Sequence, residues 1–147
     1  MSSVQSDILD AIEVRVNATL PTYSRLRHSY NLEANDYRSS KLAYGVGAGS
    51  GAQVPGATKS ITMDQIFFVV LTGTFGGRSN DDAERTALKT VYDDLEVLYR
   101  DLFQSKIGIP ASVYLVSELA LEDPLLVAEN VISVKANFIV KHRKTTT

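Results

Sequence analysis

The residues with the most chemical promise lie in one glycine-rich stretch, Tyr44–Ser60, which reads YGVGAGSGAQVPGATKS and holds five of the chain's nine glycines. Within it, Gly47-Ala48-Gly49-Ser50-Gly51-Ala52 has the G-x-G-x-x-G/A spacing that can cradle a pyrophosphate. That chemistry needs a strand leading in and a helix leading out, so that the first helical N–H groups meet the anion. Here Pro55-Gly56 follows and no helix begins, so the context speaks against a dinucleotide site. Gly51 and Gly56 have the Walker A spacing, but Ala57 stands where the phosphate-reaching lysine belongs.

Other reactive side chains are scattered. The two histidines are His28, on the apolar side of an alternating segment where a hydrogen-bonded buried ring is expected, and His142, in the basic run Lys141–Lys144, expected in solvent. With no cysteine and no histidine cluster, transition-metal ligation has no donor set, and disulfides and thiolate catalysis are excluded. Asp81, Asp82 and Glu84 could offer oxygens to a hard cation, yet acidic residues at a helix start are accounted for by the helix dipole. Asp93, Asp94, Glu96 and Asp101 fall on the polar side of the same helix and are expected to face water. Asp64, beside the most apolar strand, is the carboxylate whose environment could differ. There is no G-x-S-x-G elbow for a serine nucleophile. The sequence therefore predicts neither an enzyme nor a cofactor.

Positioning these residues are six periodic segments. Val4, Ile8, Ile12 and Val16 recur at i, i+4 and predict an amphipathic helix over 3–19, with Ser3 or Ser6 as cap. From Tyr23 to Leu32 the pattern alternates, Leu26, His28, Tyr30 and Leu32 against Arg25, Arg27, Ser29 and Asn31. Ile61–Phe75 predicts a central strand, apolar on both faces except at Gln65. Cap-type residues at 79–82 open a second helix, which carries Val91, Leu95, Leu98 and Leu102 and stops by Gly108 and Pro110. Ser112–Glu122 and Val131–Arg143 alternate as strands about a turn at Asp123-Pro124. The resulting order, α-β-β-α-β-β, predicts an α+β fold with a mainly antiparallel four-stranded sheet, both helices packed on it, and residues 44–60 as a long loop or arm. One domain of 147 residues is expected, with 144–147 a mobile tail.

Charge and hydropathy narrow the function further. The net charge of −2 argues against a dominant nucleic-acid-binding role. The basic residues form two groups: Arg25, Arg27, Arg38 and Lys41, then Lys135, Lys141, Arg143 and Lys144. If their strands are neighbours, a basic strip faces DNA or an acidic partner; ordinary solvated strand residues are the alternative. The longest apolar run, Ile66–Leu71, is far short of a bilayer span, and MSSVQSDILD has no signal-peptide pattern, so no membrane association is expected.

Several segments together resemble one family. The stretch LRHSYNLEANDYRSSKLAYGVGAGSG, the strand ITMDQIFFVVLT, the acidic helix ending in KIGIP and the final VISVKANFIVKHR are similar in element order and length to tail terminator (tail completion) proteins of long-tailed bacteriophages. The more specific parts are Arg38–Gly51, the strand beginning Thr62-Met63-Asp64-Gln65, and Asn137–Arg143. The resemblance implies a cofactor-free virion subunit that forms a homo-oligomeric ring, typically a hexamer. Such a ring caps the tail tube in the neck, ends its polymerisation and offers the head-to-tail joining surface. Its implied partners are further copies of itself, the tail tube protein and head connector proteins, with transient DNA contact in the lumen. Another neck component, such as a head-completion or connector protein, shares this architecture. Where the family carries a basic residue after the YGV element, this chain has Gly47, which takes charge away from the tip. Tyr44, Val46, Gly47, Gly49, Val54 and Pro55 are the expected subunit contacts of the arm. A glycine-rich arm loses much entropy on ordering, so it should order on assembly.

Overall fold

The structure, a computed structural model, describes residues 4–26, 42–54, 60–75, 81–104, 113–128 and 130–145. Two helices, α1 (Val4–Thr19) and α2 (Asp81–Gln104), accompany six strands: β1 (Ser24–Arg25), β2 (Leu42–Val54), β3 (Ser60–Thr74), β4 (Val113–Leu121), β5 (Leu125–Ala128) and β6 (Val131–Thr145). The fold is α+β, as the alternation of periods predicts.

The sheet is larger than the expected four strands, and it is mixed. Its order is β1-β2-β3-β6-β4, with β5 also on β6, and the β1–β2 pair is parallel. β5 is the strand that sequence reading passed over, because Leu125–Ala128 is only four residues long and directly follows the Asp123-Pro124 turn. The 27–32 part of the alternating segment lies outside the described residues, His28 and Arg27 included; of that strand only Ser24–Arg25 is seen. Lys144 and Thr145, expected in the mobile tail, continue β6 and pair with Ile61 and Ser60.

β3 is central, between β2 and β6, and pairs with β6 along all of Ser60–Thr74. Its two-faced apolar pattern has the predicted consequence. Phe67, Val69 and Leu71 are fully buried under the helices, while Phe68 and Val70 are buried on the opposite face with Leu26, Ala43 and Val131. β6 alternates in the same way, with Ile132, Val134, Ala136, Phe138 and Val140 on the helix side.

Both helices cover one face because their apolar residues fall on single stripes. Ile8, Ile12 and Val16 of α1 and Val91, Leu95, Leu98 and Leu102 of α2 enter one cluster with the sheet. α1 and the segment that follows it are tied to α2 by polar contacts at two levels. Arg15 chelates Asp101 through its Nε, at 2.8 Å, and its Nη2, and the Tyr23 hydroxyl donates to Asp94 at 2.7 Å. Asp101 is thus an acceptor between the helices and Asp94 one for the segment that follows α1, where the sequence predicts solvent. The Asp101 carboxylate hydrogen-bonded to Arg15 holds the guanidinium above its ordinary range. Burial, then the Asp94 hydrogen bond, pushes the Tyr23 phenol well above its own. At Gly73 a Cβ would lie 3.2 Å from Val91 Cγ2, so this glycine lets α2 approach β3 closely.

Candidate functional site

The glycine-rich stretch is a strand where the sequence predicted a loop. Residues 42–54 pair antiparallel with β3 from Leu42↔Gly73 to Val54↔Thr62. The reason lies in glycine spacing: Gly45, Gly47 and Gly49 recur at every second position, so they share the sheet face turned away from the helices. Bulky β3 side chains lie across Gly47 and Gly49. A Cβ on Gly47 would sit 2.2 Å from Phe68 Cζ, and one on Gly49 3.3 Å from Ile66 Cβ. Glycine normally weakens a strand, but an aromatic ring laid over it restores the lost packing. The intervening Tyr44, Val46 and Ala48 point to the helix side and pack in the main core.

Between Ala48 and Gly51 the register shifts by one extra residue on β2, a bulge that re-aims the strand end. In the bulge and just past it, Gly49, Ser50, Gly51 and Ala52 are all exposed. The expected contact residues therefore divide. Tyr44 is 1% exposed, and its hydroxyl donates to Asn17 Oδ1 at 2.8 Å. Burial, then the nearby Glu13 charge, raises the Tyr44 phenol above its ordinary range. Tyr44 is a core residue rather than an arm anchor; Gly47 is buried and Val46 half-buried. Gly49 stands on the exposed tip, Val54 ends the strand, and Pro55 lies outside the described residues.

A polar relay crosses three strands behind this tip. Gln65 Nε2 donates to the Gly49 carbonyl at 3.4 Å, and Gln65 Oε1 lies 3.0 Å from His142 Nε2. A carbonyl only accepts, so the amide orientation is fixed, and His142 Nε2 must carry the proton it gives to Gln65. His142 is 3% exposed, edge-on to Phe67, and its Nδ1 has no hydrogen-bond partner among the described residues. Burial lowers its pKa from the ordinary histidine value, partly countered by the Asp64 charge. The expectation of a solvated His142 is thus corrected. The missed signal was phase: His142 continues the even-numbered apolar register of β6, pairing with Met63 and lying diagonal to Gln65, the polar interruption of β3.

The basic strip is not assembled among the described residues. β2 and β3 stand between Arg25 on β1 and Lys135 and Lys141 on β6. Each base also has an acid: Arg25 with Glu13 at 3.0 Å, Lys135 with Glu122 at 3.5 Å, Lys141 with Asp64 at 3.8 Å. Lys135 Nζ further sits 4.2 Å from the Phe68 ring centroid, a cation–π contact. Glu122 is held below its ordinary pKa first by the Asn137 hydrogen bond and then, against some desolvation, by Lys135. Arg38 and Lys41 lie outside the described residues.

Two surface features had no counterpart in the sequence reading. A cleft of about 570 Å³ opens between the first half of α2 and the ends of β2 and β3, with Leu42, Phe75 and Ala87 as floor and Thr86 and Thr90 at its mouth. On the other side of β6, Leu121, Leu125 and Leu126 are 49%, 61% and 52% exposed along the β4–β5 corner.

No protein-family model matches this chain, and a search of curated proteins gives no match.

Proposed function

We propose that the chain is a structural virion subunit, a tail terminator whose copies close into a ring, expected to be a hexamer, that caps the tail tube and receives the head connector. The observation that carries this reading is the bulged, exposed end of β2. Its residues Gly49–Ala52 bear nothing larger than a serine hydroxymethyl and no charge. Past its two-residue pairing with β1, this end of β2 pairs among the described residues with β3 alone; a free edge is normally blunted by lysine, proline or inward charge, and one without them is built to be covered. Small side chains allow another backbone to approach, the mode by which an extended segment adds to a sheet edge. In this form the contact is made by a pre-ordered strand end rather than a free arm, and its contributors are Gly49 and Val54, with Val46 supporting from the core side.

The neutralised bases fit a lumen that DNA passes without being held. Arg25, Lys135 and Lys141 each face a carboxylate, so contact with DNA would be transient. The test is the mass and shape of the purified full chain by native mass spectrometry and electron microscopy. A closed ring is expected. A monomer whose DNA affinity falls steeply with salt would replace this reading with a nucleic-acid-binding module.

A further inference from the structure

The cleft beside the first half of α2 exists because the helix reaches the sheet unevenly. Its sheet-facing positions recur every four residues as Ala83, Ala87, Val91 and Leu95. Val91 and Leu95 are buried in the main core, whereas Ala83 and Ala87 are half-buried and too short to fill the space beneath them. Across from them β3 has Gly73, where a Cβ would lie 3.8 Å from both the Ala87 carbonyl oxygen and Leu42 Cδ2. The short side chains leave about 570 Å³ over a floor of Leu42, Phe75 and Ala87. That volume is in the range of small-molecule pockets.

The polar groups that α2 brings to this cleft are acceptors alone. Thr86 donates its hydroxyl proton to the Asp82 carbonyl at 2.8 Å, and Thr90 donates to the Thr86 carbonyl at 3.0 Å. A threonine hydroxyl has one proton, so each keeps only lone pairs for anything in the cleft. Asp82 adds an exposed carboxylate and is the one charged side chain among the described lining residues. It has no ion pair among the described residues. The helix dipole accounts for an acid at this end of α2. It does not account for that acid standing over an apolar cavity beside hydroxyls that can only accept.

We propose that the cleft binds a small organic cation with an apolar body, a primary alkylammonium. Its N–H groups are shared by Asp82 and Thr86, one helical turn apart, and its chain lies on the Leu42–Phe75 floor. The rim selects the sign of the ligand: a cation gains charge-assisted hydrogen bonds there, while a carboxylate meets like charge and no α2 side-chain donor. The apolar floor selects a hydrocarbon body over a bare ammonium ion. This site stands apart from the ring reading and holds whether the chain assembles or not.

The experiment is a titration of the full chain at pH 7 with hexylamine, 1-hexanol and hexanoate, read by saturation-transfer NMR of each probe. Hexylamine is expected to bind about tenfold more tightly than 1-hexanol, and hexanoate more weakly than either. Asp82→Asn should bring hexylamine down to the level of the alcohol, and Ala87→Leu, which fills the cavity, should abolish binding of all three. Unchanged circular dichroism and melting show that each variant is folded, and the ranking of probes on the wild type decides the question even if one is not. Hexanoate binding as tightly as hexylamine, or an amine affinity untouched by Asp82→Asn, would overturn the proposal. A blocked lysine, Nα-acetyl-lysine-N-methylamide, presents the same ammonium on a peptide backbone. If it binds more tightly than hexylamine, the cleft receives a partner's side chain and the free amine is the wrong occupant.

Discussion

Replacing Gly47 by alanine tests the account of the glycine-rich strand at its tightest point. The new methyl would lie 2.2, 2.6 and 2.8 Å from three atoms of the Phe68 ring, distances no real Cβ contact sustains. The ring has little freedom to yield. It is 4% exposed, shares a cluster with Leu26, Ala43, Val70 and Val131, and has Lys135 Nζ 4.2 Å from its centroid. Two effects compete. Alanine in place of glycine reduces the entropy lost on forming a strand and so stabilises by roughly 0.5–1 kcal/mol. Forcing an extra carbon into a filled site costs roughly 1–3 kcal/mol. Overpacking wins, with a net loss of about 1–2 kcal/mol, or a fall in melting temperature of roughly 2–8 °C for a chain of this length. Urea denaturation of Gly47→Ala, Phe68→Leu and the double variant measures it. Leucine does not reach as far as the phenyl ring, so the alanine penalty should shrink once Phe68 is gone. A neutral or stabilising Gly47→Ala, or an additive double variant, would refute the idea that the ring lies across the glycine. Gly49→Ala is the internal contrast: its methyl would stand 3.3 Å from Ile66 Cβ, a contact that relaxes by a few tenths of an ångström, so its effect should be smaller.

Other outcomes follow from the same contacts. Tyr44→Phe removes one hydrogen bond to Asn17 and keeps the buried ring, so it should cost about 0.5–1.5 kcal/mol in denaturation, towards the lower value because Asn17 is exposed and regains water. His142 makes stability depend on pH in one direction. Its folded pKa lies below the unfolded value of about 6.5, so above that pH both states are neutral and the histidine adds no slope. As pH falls through about 6.5 the unfolded chain binds the proton first, and stability drops until pH passes the lower, folded pKa. Urea midpoints measured from pH 8 to pH 5 should show this fall, and His142→Gln, which cannot titrate, should flatten it. An unchanged slope in the variant would show that other groups are responsible.

Much of the fold was legible because periodicity records burial directly. α1, α2, β3 and β6 follow from stripes of Ile, Val and Leu that the structure buries, and the two-faced apolar run of β3 placed it at the centre of the sheet. What escaped was information held between strands. Whether Gly45, Gly47 and Gly49 make a loop or a strand depends on Phe68 and Ile66 lying opposite, which no local pattern states. His142 was read by its basic neighbours, whereas its alternation phase and its partner Gln65, 77 residues away in the chain, decide its burial. Asp94 and Asp101 look like solvated helix residues until α1 and the turn after it bring Arg15 and Tyr23 to them. Arg25 could not be separated from Lys135 and Lys141 without the strand order. β5 escaped for a different reason: four residues are too few to display a period.

The measurement that bears most directly on the function is the assembly state of the purified wild-type chain, by native mass spectrometry with electron microscopy of the same sample. The account predicts one closed ring of identical subunits, expected to be six, with a central lumen. A chain that remains monomeric at every accessible concentration, or that grows into open filaments, would contradict it.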